Sequence, residues 1–132
     1  MKEKNRPNLM GFILCENTII DKETNNISLI NVFDSLNTER VPFRQAKIVV
    51  FVYWYLETKK EIEIQQTVRL IDPDKEEIAS LNIGVNFNRN KRRNGSTFNF
   101  VGVRFDKVGE HKFQLLVDGK LLKEVPLPVR VK

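Results

Sequence analysis

The chain has 132 residues, 22 basic against 17 acidic, with one cysteine and one histidine. That length supports one domain spanning residues 1–132 that buries a core without staples, and a single cysteine excludes an internal disulfide. A lone thiol suits a reducing compartment, so a cytoplasmic protein is expected, with no signal peptide and no membrane span.

The net charge of +5 is unevenly placed. Lys2, Lys4 and Arg6 against Glu3 make a basic, flexible tail over residues 1–8, and Arg89, Lys91, Arg92 and Arg93 make a basic loop. The remainder is close to neutral, so any attraction to an anion comes from one tail and one loop.

Along the chain, period-2 alternation dominates and no window carries a helical period. After a long connection from Asp34 to Arg44, KIVVFVYWYLE is apolar on both faces. Ile48, Val50, Val52, Trp54 and Leu56 occupy one, and Val49, Phe51, Tyr53 and Tyr55 the other. This is a central strand covered twice, and the cover for the second face is the amino-terminal segment, a long loop or a second copy.

EIEIQQTVRLI then sends Ile62, Ile64, Val68 and Leu70 inward, with Gln66 as the one polar inward position. Pro73 sets a type I turn over Asp72–Lys75, and a strand through Ala79, Leu81, Ile83, Val85 and Phe87 returns from it. In TFNFVGVRF the apolar set changes phase from Phe98 and Phe100 to Val101, Val103 and Phe105, which predicts a β-bulge near Gly102. The last hairpin turns at Asp118-Gly119, a pair that accepts positive φ. Pro126 and Pro128 lack donors on one lateral side of the final strand, so that side is a free edge.

About eight strands joined by hairpins and one longer crossing predict an all-β, immunoglobulin-like antiparallel sandwich, with a small β-barrel as the alternative. The stretches LCENTIIDKETNNISLINVFDSL, VRLIDPDKEEI and VGEHKFQLLVDGKLLKEVPLPVRV resemble an uncharacterised family of small bacterial single-domain proteins. The resemblance implies an immunoglobulin-like fold and brings no activity with it. Asn31 stands where the family motif has glycine, and His111 where it has a tyrosine whose phenol would tie down the strand corner.

Catalytic chemistry is poorly supplied. His111 is expected to make a corner hydrogen bond, and Cys15 to be a buried, inert thiol. One cysteine and one histidine fall short of a zinc site, and the turn holding Asp72, Asp74, Glu76 and Glu77 lacks the spacing of a calcium loop and is expected to be a solvated tip. No metal or other cofactor is expected, and no enzyme.

The reading is a non-enzymatic protein-interaction module that self-associates through Phe51, Tyr53 and Tyr55, its protein partner unidentified. The alternative is weak, salt-sensitive nucleic-acid binding by Arg89, Lys91, Arg92 and Arg93. Four phosphate contacts would give a log–log salt slope of about −3.6.

Overall fold

The computed structural model describes residues 6–132, so Lys2, Glu3 and Lys4 of the basic tail lie outside the described residues. The strands are β1 (Asn8–Ile20), β2 (Ile27–Val32), β3 (Leu36–Thr38), β4 (Phe43–Tyr55), β5 (Ile62–Ile71), β6 (Glu77–Phe87), β7 (Arg93–Phe105), β8 (Gly109–Val117) and β9 (Lys120–Val131). Two sheets form, in the orders β2-β1-β4-β7 and β3-β9-β8-β5-β6. The chain is an all-β, immunoglobulin-like sandwich, and the barrel alternative falls because the strands divide between two separate sheets. Asn8, the last residue of the expected tail, belongs to β1. The strand beyond the expected eight is β3, a short element inside the long connection. Among the described residues, no helix is long and apolar enough to cross a membrane.

The expected alternation places the core. Trp54, Phe87, Phe98, Phe105 and Phe113 are fully buried between the sheets, with Ile48, Val68, Leu70, Leu115 and Leu127 packed around them. The phase change in β7 is present but does not include Val101, which was expected in the new inward set: Phe100 is buried, Val101 is 75% exposed, and Val103 is buried again. No residue is inserted, however. Val101 pairs with Lys47 and Val103 with Gln45 in unbroken register. Gly102, at φ 66°, turns β7 over by taking the left-handed conformation instead of adding a residue.

The last hairpin has Asp118 at φ 49° and Gly119 at φ 84°, as a two-residue turn with both central residues left-handed requires. The expected free edge of β9 needs one correction. β3 pairs in parallel with Val129–Val131, immediately past Pro128, so among the described residues only the stretch up to the prolines is left without a neighbour. Donors return where the prolines end, and the ladder begins there.

The inward polar position of β5 is satisfied across the sandwich. Gln66 is 0% exposed. Its Oε1 accepts from Trp54 Nε1 at 2.7 Å, and its Nε2 donates to Ser96 Oγ at 2.9 Å. Ser96 Oγ in turn donates to Asn94 Oδ1 at 2.6 Å. The relay joins β5 of one sheet to β4 and β7 of the other.

His111 is 1% exposed, with Nδ1 3.1 Å from the Gly109 carbonyl and its ring edge-on to Phe105 at 5.2 Å. The imidazole thus makes a corner bond where the family motif has a phenol. Burial lowers its pKa below the ordinary 6.5.

Gln66→Leu strands the Trp54 N–H and removes the donor to Ser96 Oγ, whose own bond to Asn94 persists, and is expected to cost about 1–3 kcal/mol in urea unfolding. Replacing Trp54 by Phe in that background should add less than it does alone. For His111, the folded state resists a proton that the unfolded chain accepts, so stability declines as pH falls below 6.5 towards the lower folded value. Unfolding titrations of His111→Phe between pH 7 and 5 should show a flatter slope than the parent.

Candidate functional site

Because Trp54 points inward, alternation turns Phe51, Tyr53 and Tyr55 onto the outer face of the four-stranded sheet. Register sets Arg93 of β7 opposite Tyr55 and Gly95 opposite Tyr53. A tight turn precedes them: Asn88 and Lys91 exchange backbone bonds at 3.0 Å, and Asn88 Oδ1 accepts from the N–H of Asn90 and Lys91. Asn94 and Gly95 come after this turn. Both residues lie within β7.

The aromatic stripe and the basic loop form one site. The rings of Phe51 and Tyr53 stack at 6.0 Å. The Arg92 and Arg93 guanidinium groups lie 5.3 and 4.8 Å from the centre of the Tyr55 ring. Arg93 Nη1 donates to Tyr53 Oη at 3.3 Å, and Arg92 Nη2 to Tyr55 Oη at 3.0 Å. Arg92 further donates to the carbonyls of Leu56 and Glu57, while its own carbonyl accepts from the Leu56 N–H. The four cations thus divide: Arg92 and Arg93 brace the tyrosines, whereas Arg89 and Lys91 stand exposed at the turn.

Part of the outer face is covered by the chain itself. Cys15 and Val49, paired side by side, are both 0% exposed. β2 and β7 are opposite edges of their sheet, yet a Cβ on Gly95 would lie 2.9 Å from Phe51 Cε1 and 3.3 Å from Ile27 Cδ1. That meeting requires the β1–β2 hairpin to arch back over β1 and β4. Asn31, at φ 54°, supplies the left-handed residue beside the bend, and its Nδ2 donates to Glu16 Oε1 at 2.8 Å. Asparagine tolerates that conformation, which accounts for its standing where glycine is usual. Of the amino-terminal segment, a long loop and a second copy, it is the amino-terminal segment, as the β1–β2 hairpin, that lies over Phe51.

Beside this site lies a cleft of about 640 Å³, absent from the sequence reading. Leu9, Trp54, Ile62 and Val117 floor it, and Arg6, Lys120, Glu63 and Asp118 rim it. Three strand ends and the β8–β9 hairpin assemble it, so no local motif announces it.

The catalytic candidates stay apart. Cys15 belongs to the four-stranded sheet, where its Sγ donates to the Asn17 carbonyl at 3.3 Å and burial pushes the thiol pKa up. It sits mid-strand in β1, while His111 is in the other sheet. At the acidic turn, Asp72 is nearly buried and not a solvated tip. It accepts from the N–H of Glu76 and Asp74, which with Lys107 hold its carboxyl below the ordinary range. Lys107 Nζ bridges Asp72 and Asp74 at 3.0 and 2.5 Å. Among the described residues, no group of three or more His, Cys, Asp or Glu could hold a metal ion.

With this geometry in view, residues 11–130 match the model of a family described as of unknown function (DUF6941). The chain belongs to that family. No curated protein matches it. Among solved structures, it is similar to a Pseudomonas fluorescens alkylpurine DNA glycosylase, AlkC, bound to DNA containing an abasic site analog. That likeness has 10% identity and a TM-score of 0.52, over 74% of this chain and 28% of that one. A Listeria innocua β-glucosidase in complex with isofagomine aligns at 14% identity and 0.51, over 74% of this chain and 15% of that one. An immunoglobulin-like protein of Pseudomonas aeruginosa aligns at 13% identity and 0.47, over 98% and 100%. The family member described here spans only those small shares of the two enzymes, and at such identities the likeness concerns the fold alone.

Gly95→Val should drive the Phe51 ring off its seat and cost about 1–3 kcal/mol. Amide exchange across residues 19–30 should quicken in that variant, because the hairpin tip loses its footing.

Proposed function

We propose that this protein is a non-enzymatic, cytoplasmic interaction module whose contact surface is the tyrosine–arginine cluster and whose partner is a protein segment rich in acidic groups. The observation that carries the reading is the union of Tyr53, Tyr55, Arg92 and Arg93 into one half-ordered surface, with Arg89 and Lys91 exposed beside it. Tyrosine and arginine are the residue types that dominate binding energy at protein interfaces, and side chains ordered in advance lose less entropy on binding. Arg6, Lys59, Lys60 and Lys120 at the same end are matched by Glu57, Glu61, Glu63 and Asp118, so the excess positive charge there is that of the basic loop.

Nucleic acid is the second reading, carried by the exposed Arg89 and Lys91. Against it, guanidinium groups already lie over the Tyr55 ring, where a base would stack, and Arg92 spends its donors on Leu56, Glu57 and Tyr55. Without Arg92, three phosphate contacts remain, and the expected salt slope drops to about −2.7. Self-association through Phe51, Tyr53 and Tyr55 is disfavoured by charge, since a twofold contact there would bring Arg93 towards its own counterpart.

A labelled peptide of alternating glutamate and tyrosine, and single-stranded and duplex oligonucleotides, should be titrated at 50 and 200 mM salt. Arg89→Gln/Lys91→Gln/Arg93→Gln is expected to weaken peptide binding about tenfold or more. Tighter binding of oligonucleotide than of peptide would transfer the surface to the second reading, and no binding of either at 50 mM would remove both.

A further inference from the structure

Sandwich edges are templates for strand pairing, and most edges of this fold are blunted. β9 carries Pro126 and Pro128 and is then capped by the short β3. β2 is short and bends at the left-handed Asn31, and β7 turns over at the left-handed Gly102 and carries Arg93 and Arg104 near its ends. β6 differs. From Ile78 to Phe87 it has no proline and no charged residue, and it pairs with β5 in regular register from Ala79 to Phe87.

The direction of its free backbone groups follows from β5. Gln65 O accepts from the Asp118 N–H at 2.9 Å, and the Gln65 N–H donates to Asp118 Oδ1 at 3.0 Å. Gln65 thus turns its backbone towards the β8 side, and by alternation Gln66 and Val68 turn theirs towards β6. Their register partners Ile83 and Leu81 bond β5, so Ser80, Asn82 and Gly84 aim N–H and C=O off the edge. The side chains of these three are exposed, small and uncharged, while Leu81 and Ile83 are left half-buried at the core margin.

We infer that β6 pairs antiparallel with β6 of a second copy about a twofold axis at Asn82, joining two five-stranded sheets into one. Asn82 then faces its own counterpart, and Ser80 faces Gly84 in both directions. Each pair exchanges two N–H···O bonds. On the inner side Leu81 of each copy lies against Ile83 of the partner subunit, so each margin covers the other. A second copy is favoured over a foreign strand because twofold pairing sets this strand against itself, and every register position is compatible. No like charges oppose, no donor is missing, and the apolar residues meet each other.

Sedimentation of the full chain at tens of micromolar should show a dimer. Asn82→Lys, with an unchanged far-UV spectrum, should weaken it about tenfold or more by opposing two lysines at the axis. Asn82→Cys should give a disulfide-linked dimer on mild oxidation, whereas Gln114→Cys, two strands inward on β8, should not. Cys15 is fully buried and stays silent. A monomer throughout, or a dimer that Asn82→Lys leaves intact, overturns the inference.

Discussion

The indole N–H of Trp54 has to find an acceptor inside a dry core, and much else follows from how it does so. An unpaired donor there would cost about 1–3 kcal/mol. Gln66 supplies the acceptor and passes the bond on to Ser96 and Asn94, so three strands in two sheets are held in one register. With Trp54 and Ser96 turned inward, alternation leaves Tyr53, Tyr55, Gly95 and Arg93 on the outer face. The buried relay therefore also aims the surface cluster.

β4 carries a second demand. Its outer face is as apolar as its inner one, and a two-layer sandwich covers only the inner. The fold meets this with its own hairpin, bent beside Asn31 and seated by Ile27 on Phe51 and Gly95. The absent side chain at Gly95 is what permits three strands' worth of side chains to converge there. Where the hairpin ends, arginines take over, their planar cations lying on the remaining aromatic surface at a gain of roughly 0.5–1 kcal/mol each.

Charge follows topology. The ends of β4 and β6 and the starts of β5 and β7 lie together, which gathers Lys59, Lys60, Arg89, Lys91, Arg92 and Arg93 at one end. At the other, Lys107 bridges Asp72 and Asp74 and offsets one of their two charges. Screening over roughly 8–10 Å confines such a field to near contact, so it selects partners at the surface and does little to hold the fold.

The β-class, the core positions, the Asp118-Gly119 turn, the phase change at Gly102 and the polar inward Gln66 were all legible in the chain. Each is a local matter, set by a two-residue period or by the φ that one residue tolerates. The partner of Gln66, the attachment of β3 past Pro128, the hairpin over Phe51, the cleft beside Trp54 and the bracing of Tyr53 and Tyr55 by Arg92 and Arg93 were not. Those join residues tens of positions apart, and their existence depends on strand order and on a bend beside one left-handed asparagine. Alternation says which way a side chain points; only the assembled sheets decide what it meets.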